Sequence, residues 1–597
     1  MRAAPHTVAI GLALLGLAFA CRPCSTAVAQ DGWNPFKPNA ERPGERWSRP
    51  SDAAKPVPAA PMRGREPDLP GQQPAPWASP RGGAVERSEL APVMAPDASG
   101  LPLELWRGLD LKMLEELLAG LELPPRSPAL HQLWRRMLLS SATAPVGAPN
   151  SEHFVALRLE ALYRSGLLAD METVLSENGA PGPIVQTLRA RRDIGLGRRE
   201  VGCRGVAVLA APSSGLPGRL KGETQLLAGY CVAVAGDAQA AGLAAELARE
   251  EGIEAELPLA VLAGFAAGSK PKLALPARVL LLDYRFLELL GPVNASQILD
   301  KAEPALLAVL ALDPQADPRL RVAAAEAALR LNALSPQDVA EVYRRQSLSG
   351  AGVADPSAQS ADPLLRRALY FQAIEAARAP AQRLRFLRAI LDDARRSGSH
   401  LQMARTMAPL VANLPPSPDA GWLAETSLEI ALVAGQYDLA RRWAESAGLR
   451  HWLALIDVAD PERRGGRPPS LAAMEELAVR GRLGAETLHR LATVLDALDI
   501  DVPIGLWDAA SRTPQPATGY LPETGVLADL AQSAKRGDAG RTVLLVMRTL
   551  GPAGPEGANL LALGDAVRAL KRIGLEADAR QLALEAMIVA WPRTGAN

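Results

Sequence analysis

LLAGYCVAVAGDAQAAGLAAELAREEG, residues 226–252, decides how this chain is read. The stretch predicts two short helices joined at Gly236-Asp237 and backed against each other through small side chains, because residues three and four apart share one helix face. Most of the chain that follows residue 100 repeats that design with variations.

Composition agrees. The 597 residues are 48% hydrophobic but only 4% aromatic, and Ala and Leu dominate. Such a bias suits helices packed closely through small residues, and it is poor in the β-branched and aromatic residues that sheets need. The predicted class is all-α, built from stacked antiparallel helix pairs. Basic and acidic residues both number 65, so no net field draws in nucleic acid or an anionic membrane.

Residues 1–29 have a basic start at Arg2, an apolar run from Val8 to Ala20, and Ala27-Val28-Ala29 before Gln30, the layout of a secretory signal peptide. The expectation is export to the periplasm or secretion, with cleavage after Ala29 and no integral membrane segment left. Processing before Cys21 as a lipoprotein is the alternative. Cleavage after Ala29 removes Arg2 and Arg22 and no acid, leaving a net charge of −2. Residues 30–100 are crowded with Pro, Gly and Ser and read as a disordered tail, which has too little apolar surface to offset the entropy of ordering. Trp33, Trp47 and Trp77 in it are chance aromatics in a tether or docking anchors.

From Leu101, LPLELWRGLDLKMLEELLAGLEL has helical spacing up to Pro124-Pro125, and Ser127-Pro128 has the cap and first-turn pattern of a new helix. Residues 101–346 and 364–597 are read as two helical-repeat domains joined by the linker 347–363, SLSGAGVADPSAQSADP.

Aligned on its turn glycine, each of three helix pairs carries alanine at the same offsets of 5, 9 and 12. They are Ala241, Ala245 and Ala248 after Gly236; Ala440, Ala444 and Ala447 after Gly435; and Ala579, Ala583 and Ala586 after Gly574. This pattern resembles the tetratricopeptide repeat, whose second helix is small at those relative positions; Gly229 matches the small residue of that family's first helix. The resemblance implies a degenerate α-solenoid. The turns at Gly166 and Gly537 lack the alanines, and the family's aromatic positions are mostly absent. As a whole the chain is also similar to secreted Ala-rich helical proteins of alphaproteobacteria that carry an antifreeze glycopeptide label. Ice binding does not transfer, since no Thr-bearing tandem occurs.

Cys203 and Cys231 are the two cysteines of the exported chain, read as one disulfide, with two buried thiols as the alternative. His131, His153, His400, His451 and His489 are read as surface or helix-end residues without zinc spacing. Glu115-Glu116, Glu250-Glu251 and Asp392-Asp393 are read as solvated charge. There is no P-loop, dinucleotide fingerprint or nucleophile elbow. No catalytic residue, metal or cofactor is expected. The expected function is a non-catalytic protein-interaction scaffold with a protein or peptide partner in the cell envelope, and the alternative is an envelope enzyme or accessory factor acting on peptidoglycan or another polymer. Trp422, Tyr437, Trp443, Trp452 and Trp507 are read as filling gaps between helices, and a ligand cavity among them is the alternative.

Overall fold

Prolines and short polar side chains set where the helices begin. In this computed structural model Pro128, Pro304, Pro318, Pro336 and Pro380 each open a helix, where a missing N–H is no loss. Ser127 accepts from Leu130 N at 3.2 Å, and Ser335 and Asp338 form a reciprocal capping box. The structure describes residues 94–147, 151–177, 182–209, 216–271, 273–347, 353, 356–359, 363–416, 421–463 and 467–593. The expected signal peptide, nearly all of the tail and most of the linker 347–363 lie outside them.

The described residues are helical with isolated bridges and no strand. In order, α1 is Leu111–Ala119, α2 Pro128–Leu139, α3 Ser151–Arg164, α4 Asp170–Glu177, α5 Pro183–Gly195 and α6 Arg199–Leu209. Then come α7 Gly218–Val234, α8 Ala238–Glu250, α9 Glu256–Ala266, α10 Leu281–Leu287, α11 Pro304–Leu312, α12 Pro318–Arg330 and α13 Pro336–Arg344. After a single turn at Pro356–Gln359 follow α14 Pro363–Ala376, α15 Pro380–Arg396, α16 His400–Val411, α17 Gly421–Val433, α18 Tyr437–Ser446 and α19 Arg450–Ala459. The last are α20 Leu471–Val479, α21 Ala485–Ala497, α22 Ile504–Arg512, α23 Thr524–Arg536, α24 Ala539–Leu550, a turn at Gly554–Gly557, α25 Leu560–Arg572 and α26 Glu576–Ile588.

One expected element is shorter than its pattern. The helix read from Leu101 starts only at Leu111, because Gly108 has φ +77° and Asp110 caps α1 by accepting from Met113 N at 2.7 Å. The non-helical backbone before it is used elsewhere: Leu105 O accepts from Gly540 N at 2.8 Å.

Successive helices pack as antiparallel pairs, α5 with α6, α7 with α8, α11 with α12, α14 with α15, α17 with α18 and α25 with α26. At the α7–α8 turn Gly236 takes φ +87°, and the N–H of Asp237 bonds to Val232 O at 3.0 Å. A side chain at Gly229 would sit 2.7 Å from Leu262 Cδ1 and 3.1 Å from Ala244 Cβ, so the absent Cβ lets α8 and α9 close on α7. Of the nine alanines at the repeated offsets, eight are buried and Ala447 is half-buried. They sit where a neighbouring helix approaches.

The stack returns on itself. Helix α2 packs on α26 and α1 on α24; Arg136 pairs with Asp578, and Arg107 donates to Gly537 O at 3.2 Å. One apolar core runs from Leu101 to Trp591, through both sides of residues 347–363. There the Tyr343 and Phe371 rings lie 5.7 Å apart, and Gln372 donates to Tyr343 O and Gln346 O at 2.8 Å. The helices on either side of the expected linker therefore share a core.

A second, smaller core lies between Ala190 and Phe286 and contains the α7–α8 pair. Cys203 on α6 and Cys231 on α7 are joined by a disulfide there, with Cα atoms 5.5 Å apart. Tyr230 meets Phe286 edge to face at 5.3 Å. The quoted hairpin is thus the heart of a side lobe.

Candidate functional site

The turn 125–129, just before and into α2, is where the beginning, middle and end of the chain meet. Pro125 O and Arg126 O accept from Asn332 Nδ2 at 2.9 and 2.8 Å, and Arg126 O also accepts from Gln402 Nε2 at 3.1 Å. From α26, Glu585 takes a hydrogen bond from the Ser127 hydroxyl and one from Ala129 N at 2.7 Å. Gly554 makes room for this: a Cβ there would lie 2.8 Å from Ser127 Cβ.

Around this junction is a chamber of about 1080 Å³. Its walls come from the α2 start, residues 299–331, the start of α14, the α15–α16 corner, residues 553–557 and α26. Glu326 and Arg367 on the wall are ion-paired, Arg367 also pairs with Asp393, and Tyr343 donates to Glu326 at 3.0 Å. These groups satisfy each other. Glu585 is likewise occupied, with Arg405 a further 3.7 Å away. Burial raises its carboxyl above the usual range, and partial burial does the same for Glu556.

Three wall groups are unmatched among the described residues. Asp300 and Arg330 are exposed and have no ion-pair partner there. His400 is 7% exposed, and its Nε2 meets no hydrogen-bond partner. Burial pushes its imidazole down to about 4, so it is neutral at pH 7.

The histidines correct the sequence reading. His400 does start its helix, but it is buried; His131 lies inside α2, is buried, and is pushed down to about 4 by burial. The aromatic cluster follows the gap-filling reading in part. Trp443 and Trp452 are core residues, with Trp452 donating to Glu425 at 2.9 Å. Tyr437 is half-buried and accepts from Gln581, Trp507 is exposed, and the Trp422 side chain lies outside the described ones. None of the four whose side chains are described lines the chamber.

The carboxylate pairs divide. Asp392 pairs with Arg395 at 2.6 Å, whereas Asp393 is drawn into the Arg367 network. The residues that build the chamber carried one sequence signal that was not used: Glu585 stands alone in LALEAMIVA, and a single carboxylate in an apolar helical run is a buried, partnered carboxylate. Among the described residues no group of three or more His, Cys, Asp or Glu is placed to hold a metal, and no helix is long and apolar enough to cross a membrane.

No family model, no curated protein and no solved structure matches the chain.

Proposed function

We propose that this chain is an exported, non-catalytic scaffold that engages another protein or peptide in the cell envelope. The observation that carries the reading is the chamber at the chain's own junction, where the buried, unpartnered His400 Nε2 stands among exposed charges of both signs and aliphatic side chains. A buried polar group in a surface made only to close a fold finds a partner, as Glu585 and Glu326 do; the buried His400 Nε2 on the same wall does not. The Cys203–Cys231 bond supports an oxidising compartment, which agrees with the leader-like residues 1–29.

Crosslinking in intact cells followed by capture of the protein is the test. A polypeptide recovered in the same stoichiometry under several growth conditions is expected, and recovery of none removes the reading. The polymer-acting enzyme has one observation in its favour, the raised carboxyls of Glu585 and Glu556 on one wall. Against it, Glu585 is engaged in holding Ser127 and the Ala129 N–H at the start of α2, a structural use of the carboxylate.

A further inference from the structure

Helices α5, α7 and α10 run through both apolar cores, and what lies between the cores is polar. Helix α5 gives Leu188 to the large core and Ile194 to that of the side lobe; α7 gives Leu220 and Leu227, and α10 gives Leu281 and Phe286. Between those residues α5 carries Arg191, and α7 carries Glu223 and Thr224, all three buried. The Thr187 and Thr224 hydroxyls lie 3.2 Å apart there. Arg191 pairs with Glu160 on α3, lies 3.4 Å from Glu223, and places its guanidinium 4.1 Å from the centre of the Tyr163 ring.

Inside this layer one guanidinium stands between two carboxylates, and Glu223 Oε2 meets no hydrogen-bond partner among the described residues. Arg219, nearer solvent on α7, also faces Glu223 and is itself faced by Glu254, while Arg164 on α3 faces Glu160. Glu303, ahead of α11, faces Tyr163 and Arg191. Glu251, after α8, backs the turn of α7 at Gly222, and Arg199 on α6 faces Tyr230, about two turns further along. Burial dominates at Glu223: it holds the carboxyl up at about 7 against the pull of Arg191, and Glu160 adds to the rise. A buried acid beside a like charge is tolerated when neutral and disfavoured when ionised.

We propose that this layer is a proton-operated latch between lobe and body: protonated Glu223 lets the lobe seat, and its ionisation beside Glu160 loosens α5 and α7 where they cross the layer. The latch goes beyond the scaffold reading and does not depend on it. The lobe itself is held together, since Cys203–Cys231 joins α6 to α7, and Arg285 Nε donates to Gly195 O at 2.8 Å, tying α10 to the end of α5. The layer is therefore the part that gives way. Because α5 and α7 continue through both cores, the lobe shifts only if they fray or bend at the layer, which opens helix hydrogen bonds there.

Hydrogen exchange of the whole protein, read by mass spectrometry at pH 6 and pH 8 and corrected for the chemical exchange rate, tests this. With Glu223 at its ordinary 4.5 when the layer is open and at about 7 when it is closed, opening is expected to rise about tenfold between the two conditions. At pH 8 the amides of α5 and α7 at the layer should be less protected than those of α24. Glu223→Gln should give the layer the same protection at both pH values. Thr187→Val, which disturbs the layer without removing a titrating group, should keep the tenfold difference. The latch is overturned if the parent's layer does not respond to pH, or if Glu223→Gln keeps the full response. It is also overturned if the layer matches α24 at pH 8, because the layer then opens only with the whole molecule. Should Glu223→Gln fail to fold, Glu160→Gln decides: it leaves Arg191 to Glu223 alone and should cut the response to threefold or less, and an undiminished response sinks the proposal.

Discussion

The backbone N–H of Ala129 donates to a carboxylate oxygen of Glu585 at 2.7 Å, across 456 residues of sequence. A side chain from the last helix thereby caps the second one. Because helix N-termini leave several N–H groups without intrahelical partners, a carboxylate there is favoured by both hydrogen bonding and the helix dipole. Ser127, Arg405 and Arg136–Asp578 surround the same seam.

Glu585→Ala is expected to destabilise the protein by about 3 kcal/mol or more, since it strands the Ser127 hydroxyl, the Ala129 N–H and a nearly buried Arg405. Glu585→Gln keeps acceptor capacity and should lose less. Urea denaturation of both variants gives the ranking, and equal losses would mean the carboxylate is not what holds the seam.

The disulfide stabilises the side lobe by closing a 28-residue loop. Replacing both Cys203 and Cys231 by Ala is expected to cost about 2–4 kcal/mol. Intact-mass measurement checks the bond itself: reduction should add the mass of two hydrogens. An unchanged mass would leave two thiols.

Small residues in the α7–α8 pair are set by space. Ala241 is fully buried, and a methyl group at Gly229 meets Leu262 and Ala244. Ala241→Leu and Gly229→Ala should each lower stability by about 1–3 kcal/mol through overpacking. Melting temperatures at or above that of the parent would show that this face has room to spare.

Arg191 lies between Glu160 and Glu223, joining α3, α5 and α7. Burial pushes the Glu223 carboxyl from 4.5 up to about 7. Between those values the folded chain keeps a proton that the unfolded chain has released, so this contribution is full below pH 4.5 and is lost as pH rises through 7. Glu223→Gln removes it. The difference in stability between parent and variant, measured from pH 4.5 to 8, is expected to change in favour of the variant as pH rises. Taking the difference also cancels the opposite trend from His131 and His400, whose lowered values make acid destabilising from 6.5 down to about 4. A flat difference would mean that Glu223 titrates normally.

Helix class, most helix starts and the small-residue pairs were legible because they depend on local pattern: Ser127-Pro128, Ser335-Pro336 and the alanines after Gly236 act within one or two turns. The chamber was not. It is made by Arg126, Asp300, Arg330, His400 and Glu585, which no window of sequence holds together. Trp443 and Trp452 were legible as gap-fillers for a physical reason: in a chain with few large side chains, they are needed to fill the core. Buried His131 was hidden because one polar ring among PALHQLW looks like a break in an apolar face, when it is part of that face.

Because Ser127 and Ala129 wait for Glu585, the seam cannot form on a growing chain until almost all of it has been made. A helical array with two free ends can gain or lose a pair and still stand, and it can begin folding wherever a pair is complete. Here the first helices keep an unfinished surface exposed through the synthesis of the next four hundred or so residues, a contact separation that favours slow completion and exposes apolar surface in the interim.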